Sequence, residues 1–375
     1  MTDAWRRGAL AEARTYLTLA IDQLDRVTPG LERDRREIRL RLQRGCIPAT
    51  PEMYQSGAQG EDFERCLELG GASLTEAEMR ATVTPLALFF ITRGDLARAV
   101  QVIDALGASL ARGSDPFGTV VKGLYGAAAW FRGHFATAQP LLEATTANLD
   151  ELDVDELGAL WYLPNEPRAM GLHHLALTRL MRGDITGAEA ELSRARGWIG
   201  QMALPQGPYS LAYASFIESW ICLEIGQLDR ALTSTADAVE LAQRHGFDAW
   251  LVIGATQRAA VAALAADPSN LDVHIETMTG LVNTWRAMRL MIYLPLFDAV
   301  LGRLLLAAGE VELARATSTP LSKRRLRPTC ASTTRSCCDY APKHRQTRRL
   351  VKQMWMRRCR SPRVWERLSS NYALR

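Results

Sequence analysis

The chain has 375 residues, 47% hydrophobic and 23% charged, with a net charge of +4. That composition buries a sizeable core, and the length accommodates two or three compact domains or one long solenoid. No apolar run reaches the ~18–20 residues of a membrane span. The N-terminus has no apolar block followed by a small-residue cleavage site. A cytoplasmic chain with no membrane partner is therefore expected.

Taken along the chain, one short pattern recurs: glycine, any residue, an apolar residue, two more residues, alanine. It reads "GALAEA" at Gly8, "GDLARA" at Gly94, "GHFATA" at Gly133, "GDITGA" at Gly183, "GQLDRA" at Gly226 and "GEVELA" at Gly309. The copies are spaced roughly 40–50 residues apart, or about twice that where one is missing. The gaps fall near Gly45 and near "AADPSNLD" at Ala265–Asp272, which both look like degenerate inter-helix turns. Glycine at each turn predicts a left-handed helix end, which it adopts without a Cβ clash. Asp95 and Asp184 then stand where a side chain caps the next helix. The apolar residue and the alanine, three apart, share a face, and the small alanine lets two helices approach closely. Segments such as "LALFFITRGDLARAVQVIDAL" and "FIESWICLEIGQLDRALTSTADAVELA" fit helix–turn–helix units. Each unit has an apolar face that it cannot bury alone, so its neighbours must stack on it. The expected fold is all-α: a TPR-like α-solenoid of stacked helical hairpins over residues 1–316. Gly94, Gly133, Gly183, Gly226 and Gly309 serve as repeat-turn residues.

Between the copies lie less regular stretches. The acidic run "DELDVDE" (150–156) lacks the spacing and central glycine of a calcium loop and is expected to be a solvated loop or a first helical turn. Three linkers, "WYLPNEP" (161–167), "LPQGPYS" (204–210) and "RHGFDAW" (244–250), combine prolines that end helices with aromatic residues. They carry the candidate ligand- or partner-binding residues Trp161, Tyr162, Asn165, Tyr209, His245 and Trp250. The same aromatics also suit plugs between repeats. His173 and His174 are adjacent on a predicted helix, point about 100° apart and do not form an i, i+4 metal pair. No phosphate-binding "GxxxxGK[ST]", no "GxGxxG" after a strand, no "GxSxG" and no "HExxH" occurs. The expectation is a non-enzyme with no cofactor and no metal.

The quoted linkers and repeats, together with "RHGFDAWLVIGATQ", "LPQGPYSLAY", "RGDLARAVQVIDAL" and "FDAVLGRLLLAAGEVELARA", resemble the C-terminal helical-repeat region of large actinobacterial, mycobacterial-type regulators. Those proteins join a class III adenylate cyclase-like or ATPase module to such a region, often with a LuxR-type DNA-binding domain. The resemblance spans about residues 1–316. It implies a sensor scaffold in signal transduction and transcriptional regulation, binding a protein partner or small effector on its concave face. The partner could be a separately encoded ATPase, cyclase or DNA-binding regulator. The catalytic and helix-turn-helix modules have no counterpart here, so no family catalytic residue has a position to be carried onto.

Charge separates the last stretch from the rest. Residues 316–375 hold sixteen Lys and Arg against two acids, whereas residues 1–315 hold twenty-nine against thirty-nine. Lys122 is the only lysine before Lys323, and four of the seven cysteines (Cys330, Cys337, Cys338 and Cys359) fall in this tail. The other three, Cys46, Cys66 and Cys222, are scattered, so no disulfide framework is expected. Written with GC-rich codons and read two bases on, "TTRSCCDYA" becomes "DAELLRLR", a helical stretch like those of the family. The tail, 317–375, is thus expected to be a basic, low-order segment of out-of-frame sequence after a frameshift close to Ala316, and the chain a fragment of a degenerate regulator. The alternative is an arm that binds nucleic acid weakly and non-specifically, with Trp355 and Trp365 available for stacking. A zinc site from Cys330, Cys337, Cys338 and His344 lacks the usual C-x2-C spacing.

Overall fold

The computed structural model describes residues 10–47, 58–70, 75–110, 116–152, 160, 162–163, 165–200, 206–265 and 270–317. Among these the regular structure is helical throughout, with no strand. In chain order the helices are α1 (Leu10–Gln23), α2 (Leu31–Gly45), α3 (Ala58–Gly70), α4 (Glu76–Thr92), α5 (Leu96–Leu110), α6 (Pro116–Phe131), α7 (Phe135–Asp150) and α8 (Pro167–Met181). They continue with α9 (Ile185–Ile199), α10 (Gln206–Glu224), α11 (Leu228–His245), α12 (Asp248–Ala265), α13 (Leu271–Ala287), α14 (Leu294–Ala307) and α15 (Val311–Thr317). Consecutive helices pack as antiparallel hairpins, and the hairpins stack on one another as a TPR-like α-solenoid.

The recurring pattern marks the hairpin turns. Gly94, Gly133, Gly183, Gly226 and Gly309 have φ of 72°, 77°, 88°, 80° and 82°. At each, the residue after the glycine donates its N–H to the carbonyl five residues back: Asp95 to Phe90 (3.0 Å), His134 to Ala129 (2.9 Å), Asp184 to Arg179 (2.9 Å), Gln227 to Cys222 (2.8 Å) and Glu310 to Leu305 (2.8 Å). This is the Schellman closure, which satisfies carbonyls that the helix end would leave open. Asp95 and Asp184 then accept from the backbone N–H groups of Arg98 (3.2 Å) and Gly187 (2.9 Å) and cap α5 and α9. The pattern alanines Ala13, Ala99, Ala138, Ala188, Ala231 and Ala314 are all completely buried. A methyl group there lets the second helix of each hairpin lie close against its partner.

Two more turns close in the same way without the pattern. Phe247 bonds to Ala242 around left-handed Gly246, and Leu290 bonds to Trp285 around Arg289, which has φ 54°. Proline placement corrects one expectation: Pro167 and Pro208 stand in the first turns of α8 and α10 and open helices rather than end them. The first turn tolerates proline because its missing N–H would have no intrahelical partner there. Pro164 and Pro205 lie outside the described residues, as do the Gly8 turn, most of the acidic run and the tail beyond 317. Gly45 is the last residue of α2, where a Cβ would lie 2.8 Å from the Phe63 ring.

The apolar core has two main parts. One is built from α2 to α6 with Leu149, Leu160, Tyr162 and Leu163; the larger one runs from α6 to α15 and also takes in Ala13, Leu17 and Ile47. Phe131 and Ile292 pack against both. Ile292 belongs to the connection between α13 and α14, and this segment lies along the inside of the stack. Met291 donates its N–H to the Thr92 carbonyl at 2.8 Å, joining elements two hundred residues apart in sequence. No described helix is long and apolar enough to cross a membrane.

Candidate functional site

Helix α10 carries Tyr209, Tyr213, Phe216 and Trp220 at i, i+4, i+7 and i+11, a single helical stripe. Its rings meet those of neighbouring elements edge-on or tilted. Trp250 of α12 lies 5.7 Å from Tyr209, 5.6 Å from Tyr213 and 6.1 Å from Phe216, centroid to centroid. Tyr293, just before α14, lies 5.0 Å from Phe216, 5.5 Å from Trp220 and 5.6 Å from Phe131 of α6. Trp130 of α6 meets Trp220 at 5.6 Å. Such pairs contribute about 0.5–1.5 kcal/mol each beyond the area they bury. Four helical hairpins are thereby tied through one aromatic lattice on the inner side of the stack.

Beside this lattice is a cavity of about 160 Å³. Its wall is drawn from α4, α6, α7, α8, α10, α12 and α13, and is completed by Leu290, Ile292 and Tyr293 of the inward connection. No Asp, Glu, Lys or Arg is among the described residues that line it. The polar groups on the wall are few: Thr92, Thr145, Asn165, His174, the tyrosines 209, 213 and 293, and the indoles of Trp250 and Trp285. Trp285 donates to Thr256 Oγ1 at 2.9 Å, and the Tyr213 and Tyr293 hydroxyls bond to each other. Burial pushes both phenols well above their usual range, so both stay protonated.

His174 Nδ1 lies 2.9 Å from the Met170 carbonyl, an acceptor only, which places the proton on Nδ1 and leaves Nε2 with its lone pair. Burial holds His174 below the usual imidazole range, partly offset by that carbonyl bond. His173 is completely buried, packs edge-on to Tyr213 at 5.1 Å and is pushed down to about 3 by burial, then by His174 and Arg196. Both imidazoles are therefore neutral at physiological pH, and no described cluster of His, Cys, Asp or Glu is arranged to hold a metal ion.

Of the residues singled out in the linkers, the fold brings Asn165, Tyr209 and Trp250 to the cavity wall. Tyr162 is buried in the core of the first hairpins. His245 ends the outer helix α11 and stacks on Phe247 at 5.5 Å, away from the cavity. Trp161 lies outside the described residues. Tyr213, Tyr293, Phe131 and Trp285 were not singled out from the sequence, and His174 was considered there only as half of a metal pair. The four-residue step from Tyr209 to Tyr213 was a usable signal for one of them. Tyr293 had none, because nothing local says that its loop turns inward. The buried cysteines offer no chemistry: burial raises the Cys66 thiol to about 12 and the Cys222 thiol to about 11, and Cys46 higher still.

No protein-family model matches the chain, and no curated protein matches it. Solved structures do. A Rap protein complexed with competence and sporulation factor is similar at TM-score 0.57 and 12% identity, over 99% of this chain and 93% of that one. Aspartyl phosphate phosphatase F from Bacillus subtilis is similar at TM-score 0.51 and 13% identity, over 82% of this chain and 80% of that one. At these identities the likeness is one of fold, and the fold is a TPR-like helical repeat.

Proposed function

We propose that this chain is a non-catalytic regulatory scaffold that holds a partner protein or small effector against the inner wall of its solenoid. The observation that carries this reading is the inner wall itself, an uncharged aromatic surface with a cavity between distant hairpins. Such a surface suits binding; its one imidazole, His174, has no carboxylate, cysteine, serine or lysine beside it among the described lining residues. The fold neighbour solved in complex with competence and sporulation factor supports the same use of a similar repeat.

More specifically, the chain is the sensor part of a LuxR-type or cyclase-linked ATPase regulator. Residues 1–316 form the repeat, and 317–375 are a separate basic segment of out-of-frame origin. The test mixes the purified chain with the ATPase module of such a regulator. A photo-cross-linking residue placed at Asn165, on the inner side, should couple to the module and shift its nucleotide turnover severalfold; one at Asp237, exposed on α11, should not. Unchanged turnover and no difference between the two positions overturn the reading.

The charge split favours a second reading, nucleic-acid binding through the tail. Deleting 317–375 decides it. Loss of DNA affinity and of its salt dependence supports a binding arm, and their survival excludes one.

A further inference from the structure

The cavity on the inner wall also indicates what kind of small molecule it takes. We propose that it is a binding site for an uncharged molecule with a ring-sized apolar body and a single hydroxyl group, such as a phenol or a compact alcohol. This deepens the scaffold reading and rests on it. Three observations define the occupant. The volume, about 160 Å³, matches an apolar cavity of about 150 Å³ that binds benzene. The wall has no ionised side chain among its described residues, so a carboxylate, phosphate or ammonium would be desolvated there without a partner.

Among the polar groups on the wall, two neighbours are complementary to one hydroxyl. His174 offers the lone pair of Nε2, because Nδ1 is engaged by the Met170 carbonyl. The Tyr213–Tyr293 pair uses one of its two hydroxyl protons internally and has the other to donate. The His174 and Tyr213 rings are 6.4 Å apart between centroids, and both line the cavity. A hydroxyl donates to one and accepts from the other, which neither an ether nor a carbonyl does. Because the wall joins Leu88, Ile91 and Thr92 of α4 to Leu290, Ile292 and Tyr293, an occupant would bear on both ends of the stack at once.

The experiment is calorimetric titration of the full chain with three probes: p-cresol, toluene and benzoate. p-Cresol should bind about tenfold more tightly than toluene, the factor that one net hydrogen bond gives, and benzoate should not bind. His174→Leu is close in volume and removes the acceptor, so it should reduce the preference for p-cresol over toluene from about tenfold to about one. Ala127→Leu, on the cavity wall, should abolish binding of both while the helical circular dichroism is retained. If Ala127→Leu does not fold, the His174→Leu comparison decides alone. Equal binding of p-cresol and toluene to the wild-type chain, p-cresol binding that survives in folded Ala127→Leu, or no binding of any probe overturns the proposal. That failure is distinct from failure of the scaffold reading, which the cross-linking and turnover measurements decide without any small molecule.

Discussion

Helices α10 and α11 form one hairpin, yet they are buried in opposite ways. In α10 every residue except Gln206, Pro208, Leu211 and Glu224 is buried. In α11 only Ala231, Ser234, Thr235, Ala238 and Ala242 are, a stripe of small side chains along one face. Within the hairpin the contact is therefore between close-packed backbones. Ser219 of α10 donates to the Ala231 carbonyl at 3.0 Å, a reach that only small side chains permit. The large apolar groups point away from this contact, toward the inside of the stack. An open solenoid would leave that inner side wet, whereas here Tyr293 and its loop cover it. The difference teaches that the main core of this molecule lies between repeats, in the interior of the superhelix, rather than inside each hairpin.

The sharpest way to break that comparison is truncation on the two helices. Phe216→Ala, in the inner lattice, should cost about 4 kcal/mol in urea unfolding. Leu232→Ala, 37% exposed on α11, should change stability by less than about 0.5 kcal/mol. Comparable losses from the two would mean that the outer face of α11 holds the fold as much as the interior does.

Next in size is an ionic lock of the first hairpins. Asp62, 2% exposed, accepts from Arg44 at 2.8 and 2.6 Å and from Arg41 at 2.9 Å. Asp62→Ala leaves Arg44 without its carboxylate and Arg41 with Glu37 alone, and should cost about 3 kcal/mol. The exposed pair Arg244–Glu240 on α11 offers the contrast: Glu240→Gln should be nearly silent by the same measurement.

Acid–base behaviour sharpens the comparison further. Desolvation of its carboxyl raises Glu224, half-buried at the end of the inner helix, to about 7 against the pull of Arg303 and the Trp220 indole. A carboxyl raised in the folded state gives stability that is complete below its unfolded value near 4.5 and lost as pH climbs through 7. Glu224→Gln should remove that loss, a gain of up to about 3 kcal/mol at pH 8 and none at pH 4. Glu218 has the opposite sign: burial alone would raise it, but Arg196 and Arg230 hold it below its usual range, so its contribution is lost only in acid. His173 and His174, held neutral by burial, add to the acid side, where stability falls as pH drops below about 6.5. Thermal unfolding from pH 4 to 8 for the wild type and Glu224→Gln checks the slopes.

The smallest expected effects are at the turns. A Cβ at Gly183 meets nothing within 4 Å, so Gly183→Ala tests the left-handed backbone alone and should cost about 1 kcal/mol. Arg289→Gly reverses the sign: it relieves a positive φ on a non-glycine residue and should stabilise by up to about 1 kcal/mol. Both are read as shifts in the unfolding midpoint.

Much of the architecture is legible in six residues of pattern. The glycine with its left-handed φ, the aspartates that cap, and the alanine buried to zero exposure all follow from local sterics, which a sequence states directly. The Arg289 turn was not legible, since arginine has no intrinsic preference for that backbone and only its surroundings hold it there. Asn165, Tyr209 and Trp250 could be nominated because aromatics beside prolines stand out, but the same signal also named Tyr162 and His245, which the fold sends elsewhere.

By itself the sequence determined the helical hairpins, their turns and the stacking they require, because these are set by interactions within a few residues. Only the tertiary structure decided which side of the stack is the core, which polar groups share a cavity, and that Met288, Leu290 and Tyr293 of the connection before α14 are buried. Those outcomes depend on how the hairpins curve around one another, and on the 2.8 Å bond from Met291 to Thr92 that no local pattern encodes.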